Sequence, residues 1–304
     1  MRPRDPSFSA SRLTLRRSLA AAAVAALLST TAAAQSFEWL PHAAGLENSA
    51  ALALSADGTA VVGYSYTGST RVGFRWRSID GLTPIGEVAT AVSADGSVVV
   101  GYGMSTAFKW SVPTGFLPLG ELDGGATAAT AVSGDGYEVF GIGSPMTGVR
   151  SFRWDPMSGM EDLGFPPPNQ AKAVSADGSA LAGDADDLGG TLFRWTPGGG
   201  YQTLGNVPGA SGPPFATNIS DDGNLIVGYN GKPIRWTPAT GVEEIEPEYG
   251  AAFAIAPDLS MIGGSTESPS QQAVLWFSDG SRISAAGFLE TQGLCPRHRP
   301  ISTR

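Results

Sequence analysis

An all-β chain, built as a β-propeller of four-stranded blades, is the fold class this sequence predicts, and three observations predict it. A Ser-x-Asp-Gly turn recurs, and aligning the repeats on its aspartate gives Asp57, Asp95, Asp135, Asp177, Asp222 and Asp258, at spacings of 38, 40, 42, 45 and 36 residues. Six residues after each aspartate stands a glycine: Gly63, Gly101, Gly141, Gly183, Gly228 and Gly264. All seven tryptophans (Trp39, Trp76, Trp110, Trp154, Trp195, Trp236 and Trp276) hold one position of the unit, with Phe37, Phe74, Phe108, Phe152, Phe193, Ile234 or Val274 two residues earlier. A fixed register carried through connections of varied length marks a repeat architecture, and four short strands in about 40 residues fit a propeller blade. The other architecture weighed, a parallel β-solenoid, prefers shorter and more uniform coils.

Each strand of the unit has its own reason. The first, as in Ala91-Val92-Ser93, ends at the Asp-Gly pair, where glycine supplies the positive φ of a tight hairpin and aspartate tolerates the turn. The second, Val98-Val99-Val100, is β-branched and apolar, as suits a strand buried on both faces. The third alternates: Phe and Trp share one face and a basic residue takes the other. The fourth carries Ile85, Leu119, Leu163 or Leu204 before a closing glycine. Phe37-Glu38-Trp39 starts half a unit early, so the count is six full repeats plus a half, giving six or an incomplete seven blades. Rings often close by building one blade from both chain ends. The matching Ser-x-Asp-Gly segment is absent after Gly287, and the chain ends in a basic stretch, Cys295 to Arg304, unlike anything upstream. Truncation, a shifted reading frame or a natural tail would each produce such an end.

Residues 1–34 read as a signal peptide: Arg12, Arg16 and Arg17 precede the apolar run Leu19 to Leu28, and Ala32-Ala33-Ala34 offers a cleavage site before Gln35. Arg16-Arg17 also faintly suggests a twin-arginine leader. The domain plan is therefore a leader, a repeat domain over 35–287 and an irregular tail over 288–304. Removing five Arg and one Asp with the leader leaves 14 basic and 27 acidic side chains, a net charge of −13. That charge disfavours nucleic acid, whose phosphates call for clustered Lys and Arg. No second apolar span follows, so the mature chain carries no transmembrane segment. One cysteine and two histidines exclude an internal disulfide framework, a CxxC pair and a multi-histidine metal site.

The quoted units resemble the HAF family of bacterial exported β-repeat proteins, described as extracellular repeats, over about residues 36–287. The resemblance implies export and a β-repeat and carries no established activity. The His-Ala that names the family is missing here: Val72-Gly73, Thr106-Ala107, Arg150-Ser151 and Thr191-Leu192 stand in its place.

Candidate chemistry is thin. A calcium loop wants several oxygen ligands at alternate positions, whereas each turn offers one Asp and a Ser, doubled only at Asp221-Asp222. Asp184, Asp186 and Asp187 form the best carboxylate cluster and the weak candidates for a metal, in what reads as a loop after the second strand of their unit. Glu243, Glu244, Glu246 and Glu248 read as the solvated face of an outer strand. Arg75, Lys109, Arg153, Arg194 and Arg235 recur between the aromatics, interrupted by Glu38 and Leu275. They either ring an anionic ligand or pair with the repeated aspartates and stack on rings between blades. No cofactor, no Gly-x-Ser-x-Gly elbow and no repeat histidine is found, so no catalytic residue is assigned. Variable connections, Phe165 to Lys172 and Asn206 to Thr217, are expected on the ends of the ring. The expected function is a secreted, extracellular or periplasmic binding module for a protein or carbohydrate ligand. The alternative is a carbohydrate- or ester-active hydrolase using two channel-lining carboxylates about 5 to 9 Å apart.

Overall fold

A computed structural model of the chain describes residues 40–166, 168–185, 190–210, 212–267 and 272–284. The chain divides at Leu40/Pro41 into two compact units, and every strand described lies in the second, Pro41–Arg304.

The turn builds the blade from its inner end. In the second repeat the Ser93 hydroxyl donates to Asp95 Oδ1 (2.7 Å) and accepts the amide N–H of Val98 (3.0 Å), while Asp95 Oδ1 accepts the N–H of Ser97 (2.9 Å). Ser55, Ser133, Ser175 and Ser220 repeat this set with their own aspartates and amides. All five serines are buried, so each hydroxyl is satisfied by the turn it organises. Gly96 takes φ +71° beside Asp95, the left-handed conformation the hairpin requires. The sixth turn departs from the pattern. It reads Ala256-Pro257-Asp258-Leu259, and Leu259 is forced to φ +57° where the other units place glycine.

From each turn the chain runs out through four antiparallel strands. The first blade is β1 (Asn48–Leu54), β2 (Ala60–Thr67), β3 (Thr70–Arg77) and β4 (Gly81–Pro84). The second is β5 (Val88–Val92), β6 (Val98–Tyr102), β7 (Ala107–Ser111) and β8 (Gly115–Gly120). The third is β9 (Ala126–Val132), β10 (Val139–Ser144), β11 (Arg150–Asp155) and β12 (Gly159–Asp162). The fourth is β13 (Asn169–Val174), β14 (Leu181–Ala185), β15 (Thr191–Thr196) and β16 (Gly200–Gly205). The fifth is β17 (Phe215–Ile219), β18 (Ile226–Tyr229), β19 (Pro233–Thr237) and β20 (Gly241–Glu244). The sixth is β21 (Gly250–Ile255), β22 (Met261–Thr266), β23 (Gln272–Phe277) and β24 (Arg282–Ser284). The protein is an all-β, six-bladed propeller of four-stranded blades. Phe37-Glu38-Trp39 and the tail lie outside the described residues.

The invariant second glycine has a packing cause. In every blade the first strand slips register against the second, as between Ala89 and Ala91 opposite Gly101 and Val100. The bulge pushes a carbonyl toward the glycine: a Cβ on Gly101 would collide with the Val88 oxygen, and one on Gly141 with that of Ala128.

Blades stack through the aromatic strand. In the second to sixth blades the Trp of the third strand packs on the preceding blade, while Arg75, Lys109 and Arg194 reach the next. Val62 thus meets Ala89, Val99 and Trp110; Val100 and Ala107 meet Phe152 and Trp154; Phe140 meets Phe193 and Trp195. Ala182 and Leu192 meet Ile234 and Trp236, and Val227 meets Val274 and Trp276. Each fully buried aromatic or branched side chain contributes about 1.5–3 kcal/mol by leaving water. Among the described residues no such cluster joins the sixth blade to the first.

Candidate functional site

The first strands of all six blades surround a cavity of about 480 Å³. Its wall takes one equivalent position from each blade, five residues before the turn aspartate: Leu52, Thr90, Thr130, Lys172, Thr217 and Phe253. The threonines serve the frame as well as the channel. Thr90 Oγ1 donates to Ala129 O of the next blade (2.8 Å), Thr130 Oγ1 to Ala171 O (2.9 Å) and Thr217 Oγ1 to Ala252 O (2.6 Å). One end is ringed by the turn residues Ala56, Ala94, Gly134, Ala176, Asp221 and Pro257. Among the described lining residues Asp221 is the one carboxylate and Lys172 the one cation. A carboxylate pair spaced for glycoside cleavage is therefore not found along this wall.

The six turn aspartates are spent on structure. Asp57, Asp95, Asp135 and Asp222 have pKa values held below the ordinary carboxylate range, first by the hydroxyl of the turn serine and then by a backbone amide two residues on. Asp177 and Asp258 are lowered first by the hydroxyls of Ser179 and Ser260. Of the seven indoles, Trp76, Trp110 and Trp195 are half-buried, and Trp154, Trp236 and Trp276 buried; Trp39 lies outside the described residues.

The acidic cluster is rearranged relative to the sequence reading. Asp184 is not in a loop: it ends up inside β14, buried, accepting the Ala216 amide (3.3 Å) and facing Lys172 Nζ at 3.9 Å. The register could have said so, because Asp184 directly follows the fixed Gly183. Asp186 and Asp187 lie outside the described residues. Among the described residues no group of three or more His, Cys, Asp or Glu is placed to hold a metal ion. The glutamate run also changes character. The outer strand β20 stops at Glu244, and the four carboxylates are ion-paired: Glu243 with Arg235, Glu244 with Lys232, and Glu246 and Glu248 with Arg282. Lys172 and Phe215–Thr217, read as loop ends, belong to β13 and β17.

Three of the five repeated cations reach groups of the next blade. The Arg75 guanidinium lies over the Trp110 ring (5.2 Å) and donates to Gly96 O (3.3 Å); Lys109 lies over Trp154 (5.5 Å). Arg194 Nε donates to Gly223 O (2.7 Å). Burial pushes the Lys109 ammonium toward a lower pKa, opposed by Asp135. Arg153 and Arg235 turn instead to carboxylates, Glu138 and Glu243.

A second cavity, about 380 Å³, opens between the fifth and sixth blades beside Leu259, Met261, Arg235 and Trp276. The strained Leu259 is the feature sequence reading missed; its signal was a leucine standing in a glycine position.

No family model and no curated protein matches the chain. Its fold is similar to that of TolB from Acinetobacter baumannii, at 15% identity and a TM-score of 0.53 over 79% of this chain. The chain spans 65% of the length of that protein. It is also similar to a putative TolB from Agrobacterium tumefaciens, at 15% identity and 0.51, covering 67% of this chain and 83% of that one. Oligogalacturonate lyase from Vibrio parahaemolyticus is similar at 13% identity and 0.56, covering 79% and 77%.

Proposed function

We propose that this chain is an exported propeller, extracellular or periplasmic, that works as a binding module for a protein or carbohydrate. One observation carries the reading: the channel mouth collects a turn residue from every blade and offers a single carboxylate, Asp221, among its described lining. Such a mouth can hold a neutral ligand by shape and backbone polar groups, and its described lining offers no second carboxylate of the kind glycoside cleavage uses. Export is supported by the leader-like residues 1–34 and by the resemblance of the repeats to HAF extracellular repeats. Among the described residues no helix is long and apolar enough to cross a membrane.

Thermal-shift and titration screens against neutral oligosaccharides and peptides test the reading. A ligand should be lost in Ala56→Trp, which blocks the mouth, with the melting temperature unchanged. Turnover of a glycoside or ester substrate that disappears in Asp221→Asn would overturn it in favour of a hydrolase. Mass spectrometry of the exported protein should find Gln35 at its N-terminus.

A further inference from the structure

The junction between the fifth and sixth blades is built differently from those before it. In the second to fifth blades the glycine after the turn aspartate lies flush on the preceding blade. A Cβ added to Gly96, Gly136 or Gly223 would stand 2.5 or 2.6 Å from the side chain of Ala60, Val98 or Ala180, and one on Gly178 would stand 2.5 Å from Glu138. The sixth turn puts Leu259 in that place, and the residue facing it by repeat position is Leu225. Two leucines thus stand where the earlier junctions have no room for a methyl group, which holds the sixth turn off the fifth blade. Backbone hydrogen bonds tie the first four turns to one another, from Asp57 N to Ala94 O, Ala94 N to Gly134 O and Gly134 N to Ala176 O. Among the described residues none ties the sixth turn to the fifth. The resulting gap is the 380 Å³ cavity, and Leu225 and Leu259 both line it.

We infer that this cavity binds the alkyl guanidinium or ammonium of a ligand, in a slot that the protein's own side chains fill at other junctions. The repeat supplies the template. The equivalent slot takes Arg75 over the Trp110 ring and on the Gly96 carbonyl, Lys109 over Trp154, and Arg194 on the Gly223 carbonyl. At the sixth blade the corresponding ring, Trp276, lines the cavity, and among the described residues nothing donates to the Leu259 carbonyl. The resident cation is turned away: Arg235 Nε donates to Glu243 Oε1 (2.7 Å) and its side chain is 45% exposed. The turn aspartates of the two blades, Asp222 and Asp258, are held by hydroxyls and amides and have no ion-pair partner among the described residues. An aliphatic stem suits the two leucines, and a cationic head suits the ring, the carbonyl and the carboxylates. An anion would meet those carboxylates instead, and an uncharged apolar molecule would bury the carbonyl without a donor.

Isothermal titration of the chain with n-butylguanidinium and with its neutral counterpart n-butylurea, at one ionic strength, tests this. The cation should bind with a dissociation constant of about 1 mM, and the urea about tenfold more weakly or worse. A third titration, with acetyl-glycyl-arginyl-glycinamide, separates two sources of the same chemistry: binding as tight as that of n-butylguanidinium assigns the slot to an arginine within a peptide, and weaker binding assigns it to a free cation. Leu259→Gly restores the turn of the other blades, so the sixth turn can settle and Arg235 can enter the slot. It should weaken cation binding about tenfold, with the melting temperature held or raised, since the positive φ then strains no side chain. Arg235→Met removes the competing charge and should tighten binding several-fold. Equal binding of the cation and the urea overturns the inference, as does the absence of saturable cation binding. A Leu259→Gly variant that binds like the wild type overturns it too, and so does an Arg235→Met variant that binds the cation more weakly.

Discussion

Ser93 shows how much of this molecule is carried by single side chains with several partners. Its buried hydroxyl donates to Asp95 and accepts from the Val98 amide, so Ser93→Ala leaves both without that partner. Loss of a buried hydrogen-bonding group costs about 1–3 kcal/mol, and the urea midpoint should fall accordingly. The fold should survive, because the sixth turn forms with Ala256 in the serine place and Ser260 serving Asp258 instead. The aspartates predict a pH dependence. Their pKa values are lowered in the folded chain, so the folded state favours the carboxylate. The resulting stability is complete above the unfolded value of about 3.9 and is lost as pH falls through the folded values. Melting temperature should hold near neutral pH and drop below about pH 4, and the drop should be shallower in Asp95→Asn. Gly101 argues the opposite extreme. No side chain fits against the Val88 carbonyl, so Gly101→Ala should destabilise by about 3 kcal/mol or more, at or beyond the upper end of the usual range for one substitution.

Between strands, the third strand of one blade and its neighbour form the unit of cohesion. Arg75 couples the first blade to the second through Trp110 and Gly96, largely buried and away from screening water. A double-mutant cycle of Arg75→Met with Trp110→Leu should return a coupling of about 0.5–2 kcal/mol. A value near zero would mean the stack is incidental. At this scale the sequence was legible where one residue determines its own surroundings. Phe and Trp two apart share a face whatever lies opposite, and that face proves to be the interblade one. The basic residues were legible only as a pattern. Whether an Arg reaches a ring, a carbonyl or a carboxylate depends on which group the next sheet or its own outer strand presents. Glu138 and Glu243, which divert Arg153 and Arg235, come from variable positions of the repeat. Asp184 was misplaced for a related reason. A strand buried on both faces leaves no polar alternation to mark it, and the adjoining run of acids drew the reading toward a loop.

Over the whole ring, cohesion is uneven, and the unevenness follows from nearest-neighbour packing. In a repeat protein each unit is stabilised mainly by its two neighbours. The second to fifth blades have a described hydrophobic cluster on both faces, while the sixth has one on its fifth-blade side alone. The first blade's inner strand shows the same asymmetry. Ala51 is exposed, although its counterparts Ala89, Ala129, Ala171, Ala216 and Ala252 are buried. Leu275 was visible in the sequence as a break in the cation pattern. That it marks an open blade face was not, because a linear repeat does not say which copies meet around a ring. Local opening should therefore begin at the ends of the repeat array, where few apolar contacts oppose it. In hydrogen exchange at micromolar dilution, amides of β1 and β24 should exchange before those of β6, β10 and β14, by about tenfold for each 1.4 kcal/mol of missing interface. Equal protection of all six blades would mean that the sixth and first blades are joined as firmly as the others, and the propeller would then open as a single cooperative body.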